Sequence, residues 1–354
     1  MQNFGKAPLL IIATAIVTIG LIYFADLLTP LALAIFLWLT IDGAAEVLHN
    51  RYKIVPRKLA LPVIMIIVFI GLAVIIAFIS NYARDFAHDL SSYRLRIDQV
   101  ILQIYQTFPQ LGAPPTIGQL FDKVNPARIL SGLADTLKGF GGEALFVLIY
   151  VLSLIAAQAS LPRKLVNIFP NLQERERVIA IAGAVRKSME AYLWVQTVTG
   201  FMIAFACYIL FLIVGLKNAM FWALLTFLLS YIPAVGGLVA TILPALFALV
   251  QFTSFWPAVI ILGVTQAIQF VVGNLILPRM TGDSLNLSVL MVFLSLAFWG
   301  KIWGAPGMFL SVPITVMMMI IMAQFPSTRA IAIMMSANGN PDVDLKSRKS
   351  GNKN

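Results

Sequence analysis

The stretch LLSYIPAVGGLVATILPAL, residues 228–246, decides how this chain folds. It carries no charge, so it belongs among membrane-embedded segments, yet it contains Pro233, Gly236, Gly237 and Pro244. Proline removes a backbone donor and clashes with the preceding turn, and glycine lets the chain leave helical geometry. The surrounding region, 219–252, consists of two apolar arms joined at Pro233–Gly237. An arm of about 14 residues is about 21 Å long, short of the roughly 30 Å hydrocarbon core. The region is therefore expected to enter and leave on the same side, as a re-entrant hairpin. Non-helical backbone at that depth is tolerated only where protein or water covers it.

The rest of the chain supports a membrane reading. Of 354 residues, 60% are hydrophobic and 11% charged, with a mean hydropathy of +0.91. Soluble domains sit near 45–50% apolar and about 25% charged. An all-α polytopic membrane protein follows. Cys207 is the only cysteine and lies in an apolar run, which excludes a disulfide framework. The two histidines, His49 and His88, fall outside the apolar runs, and no HExxH or CxxC is present. No metal, no cofactor and no Ser–His catalytic pair is expected, so the chain does not read as an enzyme. The net charge of +10 comes without a basic stripe interleaved with aromatics, so nucleic acid is not an expected partner.

Apolar runs long enough to cross are 8–24, 27–41, 59–80, 143–160, 192–214 and 255–277. Lys6 before Leu9–Phe24 resembles a signal peptide, but no small-residue cleavage site follows and a second run begins at Leu27. This reads as an uncleaved first span. A second interrupted region, 286–325, has two arms joined at GKIWGAPG (300–307). Two oppositely oriented hairpins plus six spans give about eight membrane segments, with ten ordinary spans as the alternative. Arg51, Lys53, Arg57 and Lys58 mark one cytoplasmic loop, and Arg163, Lys164, Arg175, Arg177, Arg186 and Lys187 another. With the basic tail (Lys346, Arg348, Lys349, Lys353), they place both termini in the cytoplasm.

The expected division is a scaffold of three spans over 1–80, an extracytoplasmic amphipathic helical segment over 81–142, and a fourth span over 143–160. A cytoplasmic amphipathic linker over 161–191 follows, with its 172–190 stretch along the interface. Phe86, Leu90, Tyr93, Ile97, Val100 and Ile104 form a heptad-like stripe, suited to a local cap or a seam between subunits. Residues 192–252 and 253–325 each contain a span followed by a broken pair of arms, and 326–354 is a tail. By the loop charges the two broken pairs enter from opposite sides. That is an inverted repeat, whose interface is where secondary transporters bind substrate.

A broken helix presents N–H groups at one end and C=O groups at the other, able to hold a polar solute without charge. The expected substrate-binding residues are Ser230, Pro233, Gly236 and Gly237 at the first break. To these are added Gln266, Gln269 and Asn274, roughly on one face of the 255–277 span, and Ser295, Gly304, Pro306 and Gly307 around the second break. Each amide could instead make an interhelical hydrogen bond. Arg279 and Asp283 form a local ion pair or a gate. Lys301 is a charge at membrane depth if the hairpin re-enters, and a snorkelling surface residue otherwise.

YIPAVGG…ILP (231–244), GNLILPRMTG (273–282) and LSVLMVFLSLAFWGKIWGAPGMFLSVPITV (287–316) together resemble the autoinducer-2 exporter family of permease-like bacterial inner-membrane proteins. The resemblance covers essentially the whole chain. Pro233, Gly236 and Gly237 match its first tip; Gly273, Asn274, Pro278, Arg279 and Gly282 its connecting motif; Trp299, Gly300, Gly304, Gly307 and Pro313 its second hairpin. Asp283 departs from the pattern, where a basic or small residue is expected. The resemblance implies a bacterial inner-membrane location, homo-oligomeric (pentameric) assembly and export of a small solute such as autoinducer-2. Some members resemble sodium- or lithium-coupled proton antiporters, so proton or sodium is the implied coupling ion. With no GxxxxGK[ST] in the chain, a gradient-driven secondary transporter with elevator-like alternating access is expected. The antiporter reading is weakened because Asp26, Asp42, Glu143 and Asp283 all fall at span ends. A non-transporting oligomeric scaffold is the reading from a different class.

Overall fold

A computed structural model describes residues 6–52, 61–82 apart from 72, 76, 79 and 80, 144–158, 160–281 and 286–341. In chain order the helices are α1 (Lys6–Tyr23), α2 (Ala25–Tyr52), α3 (61–71), α4 (Ala144–Gln158), α5 (Leu161–Ile168) and α6 (Leu172–Val214). They continue with α7 (Ala219–Ser230), α8 (Val235–Gln251) and α9 (Trp256–Val271). A π-helical turn (Val272–Ile276) then leads into α10 (Leu277–Thr281), followed by α11 (Val289–Ala323) and α12 (Arg329–Met335). Among the described residues the sole strand-like contact is an isolated antiparallel bridge between Leu287 and Ser336.

This is an all-α polytopic membrane protein. Among the described residues four helical stretches are long and apolar enough to cross a bilayer: Ala25–Ala45, Leu172–Val214, Trp256–Met280 and Val289–Ala323. A fifth is gained if α4 and α5, bent 66° from one another, count as one. Helices α7 and α8 are apolar but only 12 and 17 residues long, below the roughly 20 that a span needs. Large apolar side chains face outward along the helices, for example Ile16 on α1, Phe201 and Ile213 on α6 and Phe270 on α9. In water each such side chain would forfeit roughly 1.5–3 kcal/mol of burial; facing acyl chains costs nothing.

The chain divides into two compact units. The first combines Met1–Leu61, Glu143–Trp194 and Thr281–Asn354; the second combines Pro62–Gly142 and Val195–Met280. The first is centred on Phe36, Leu39, Met189, Tyr192, Leu310, Val316 and Met319, with Phe36 edge-on to Phe309 at 5.3 Å. Polar side chains tie its helices together. Asp42, 4% exposed, pairs with Arg186 at 2.7 Å and accepts from Gln158 Nε2 at 3.2 Å. Arg186 also donates from Nε to Glu190 at 2.7 Å, and Trp38 Nε1 donates to Gln158 Oε1 at 3.3 Å. At the end of α11, the carbonyls of Ala323 and Gln324 accept from Arg329 and Arg177, cations placed where the helix dipole favours them.

The second unit packs Cys207, Phe211, Trp222, Phe247, Ala248 and Ile261. Cys207 is fully buried among these apolar side chains. The heptad-like stripe of 86–104, Asp283 and the basic tail beyond 341 lie outside the described residues.

Candidate functional site

The first break lies wholly within the second unit. Helix α7 ends at Ser230 and α8 starts at Val235. Between them Ala234 adopts φ 60°, ψ −58°, and Val235 N donates to Pro233 O at 2.6 Å. That is a γ-turn of the rare, strained, positive-φ kind. The chain reverses tightly enough that a Cβ on Gly236 would collide with the Leu229 carbonyl oxygen. In a straight helix those residues would stand about 10 Å apart along the axis. Only glycine fits there.

A break in a helix strands carbonyl groups, and most here have identifiable partners. Leu228 O accepts from Tyr231 N at 3.3 Å and Leu229 O from Ile232 N at 2.9 Å. Ser230 O accepts from the amide Nε2 of Gln196 on α6. On the α8 side, Gly237 O accepts from Gln269 Nε2 at 2.9 Å and from Thr241 Oγ1 at 3.0 Å. Gln269 Nε2 donates again to Thr241 Oγ1 at 2.9 Å. Both amide protons of Gln269 are thus engaged, leaving its Oε1 as an acceptor with no partner among the described residues. A Cβ on Gly237 would strike that Oε1, so the glycine makes room for it. Thr197 on α6 pairs with the Tyr231 hydroxyl at 2.8 Å, and Ser230 Oγ donates to Phe227 O at 2.6 Å. A Cβ on Gly200 would meet Ser230 Oγ.

The break is therefore bracketed by two glutamines, Gln196 from α6 and Gln269 from α9. Sequence reading singled out Gln269 but missed Gln196 and Thr197, although a glutamine inside the apolar run 192–214 was the available signal. Gln266 is exposed and takes no described part in the cluster. Asn274 is exposed too; it sits in the π turn and donates to Phe270 O at 3.0 Å. Such turns recur at functional positions in helices. Arg279 is exposed on α10.

The second break belongs to the first unit. Helix α11 is interrupted at Gly304, whose φ 62°, ψ −140° is non-helical. A Cβ on Gly307 would collide with the Trp299 carbonyl oxygen, and one on Gly300 would meet Met308 Cγ at 2.9 Å. Residues 299 and 307 would be about 12 Å apart on a straight helix, so the chain folds back here as well. The same device appears in each unit: a glycine seated on a carbonyl seven or eight residues upstream. Trp299 and Trp303 pack at 4.8 Å, and Trp303 Nε1 donates to Leu21 O at 3.2 Å. Ser295 is buried with its hydroxyl on Val292 O at 2.9 Å. Pro306 is half-buried, and Lys301 is exposed beside the break.

Apolar crossing helices with two glycine-dependent breaks define a multi-pass membrane protein. The profile of the AI-2E family transporter matches residues 11–327, and this chain belongs to that family. It is 28% identical over 339 residues to AI-2 transport protein TqsA of Escherichia coli, covering 94% of this chain and 96% of that one. A Haemophilus influenzae protein with a provisional transport-protein name is 28% identical over 343 residues, 94% and 97% of the two chains. YhhT of Escherichia coli, named in the same provisional way, is 25% identical over 347 residues, 96% and 97%.

Proposed function

We propose that this chain is a gradient-driven secondary transporter that exports a small polar solute, with the autoinducer-2 signal named for its relative TqsA as the first candidate. The observation that carries the reading is the first break, where Gln269 clamps the Gly237 carbonyl and holds out an unpartnered Oε1. Gln269 is half-buried, and its free amide oxygen is an acceptor that a hydroxyl-bearing solute would match. Ser230, Pro233, Gly236 and Gly237 shape this site. Gly304, Pro306 and Gly307, with Ser295 nearby, shape the second break. Gln266, Asn274, Arg279, Asp283 and Lys301 are assigned to the solute path or its gating. In this reading both broken regions are re-entrant hairpins of opposite orientation, the termini are cytoplasmic, the protein is a homo-oligomer and access alternates by an elevator-like slide. Uptake of autoinducer-2 into inverted vesicles, driven by an imposed proton or sodium gradient, tests it. Gly237→Leu, which displaces Gln269, is expected to lower uptake at least tenfold in protein that still purifies as a folded species. Unchanged uptake counts against the site.

A second reading, sodium- or lithium-coupled proton antiport, is favoured by Asp42. That carboxylate is buried and ion-paired with Arg186 near the end of an apolar helix, and acids in such segments are functional candidates. Adding Na⁺ or Li⁺ to acid-loaded everted vesicles should then dequench a pH dye, and Asp42→Asn should abolish the signal. No dequenching in the unsubstituted protein removes this reading.

A further inference from the structure

Helix α5 has no role in the core or at either break. Its sequence, LPRKLVNI, contains no buried residue. Leu161, Leu165 and Ile168 recur at helical spacing to form one stripe; Arg163 and Asn167 lie on the far side, Lys164 borders the stripe, and Val166 falls outside it. Leu161, Val166 and Ile168 are 46%, 49% and 64% exposed. The helix turns 66° away from α4, the apolar segment that precedes it, and so leaves the line of that segment. No acidic residue occurs from 161 to 173.

We propose that α5 is a binding surface for anionic phospholipid, lying in the membrane interface with Leu161, Leu165 and Ile168 among the acyl chains and Arg163 and Lys164 on headgroup phosphates. An amphipathic helix with cations on its polar face takes this position in general. Each cation near an anionic leaflet strengthens attachment about fivefold. The bilayer is the occupant because α4 delivers the helix to its edge and both charges oppose those of the headgroups. The inference rests on the membrane assignment and is independent of the solute reading.

The test uses full-length Ile168→Cys carrying an environment-sensitive fluorophore, with the unsubstituted chain as the control for labelling at Cys207. The protein is reconstituted in phosphatidylcholine vesicles with or without phosphatidylglycerol, and quenching by neutral acrylamide is read. Quenching is expected to be several-fold weaker with phosphatidylglycerol. High salt and the Arg163→Gln, Lys164→Gln double variant should each erase the difference, since both remove the headgroup attraction. Inorganic phosphate added to phosphatidylcholine vesicles should not reproduce the protection; if it does, the site takes a free anion and the proposal fails. Equal quenching in the two lipids, whether strong or weak, also overturns it. Efflux measured on the same vesicles reports separately on the solute reading: its loss with lipid dependence intact would count against that reading alone.

Discussion

Gly236 and Gly263 make the residue-scale argument as a pair. A methyl on Gly236 would enter the Leu229 carbonyl, whereas one on Gly263 meets nothing within 4 Å. Gly236→Ala should therefore destabilise by about 1–3 kcal/mol through overpacking against backbone that cannot yield. Gly263→Ala should be neutral or stabilising by up to about 1 kcal/mol, because glycine is the poorer helix former. Thermal unfolding in detergent reads both; equal shifts would contradict the close approach at the break. Gln269→Leu should uncouple α9 from Gly237 and Thr241, lowering stability by about 1–3 kcal/mol as their polar groups lose a partner. Gly236, Gly237 and Gln269 were all legible in the sequence because glycines and amides are conspicuous in an apolar run. The pairing of Asp42 was not. It looked like a span-end acid, and its partner Arg186 is far away in sequence, reachable only once α2 and α6 are packed.

Elements divide in a similar way. Both broken regions were readable from arm length and from Pro and Gly at the joints. The structure supplies what a pattern cannot: which glycine makes the turn and what it rests on. At the second break that residue is Gly304, whose positive φ is paired with ψ −140°. A side chain in such a conformation costs of order 1–3 kcal/mol, so Gly304→Ala should lower the unfolding temperature, while Gly273→Ala, with open space around it, should not. Helix α6 departs from the sequence expectation in form: the amphipathic stretch 172–190 and the run 192–214 make one 43-residue helix. No proline interrupts it, and a change from amphipathic to uniformly apolar pattern does not by itself end a helix. The π turn at Val272–Ile276 gave no usable signal either, since periodicity cannot mark one extra residue in a helical turn.

For the whole molecule, composition alone settled the solvent, and the outward-facing apolar side chains agree with it. Family membership across residues 11–327 then turns a broken-helix membrane protein into a transporter. What remains distinctive is that neither break depends on a charged side chain for its turn; each rests on glycine against backbone, and the first adds glutamine clamps from neighbouring helices. The central claim is that the first break opens a polar, water-reached site within an apolar protein. It is tested most directly by Val235→Cys, a position 42% exposed beside the turn, labelled in intact cells with a membrane-impermeant maleimide. The account predicts labelling from the extracytoplasmic side and its suppression by transported solute. A thiol that resists the reagent, or reacts identically with and without solute, would contradict it.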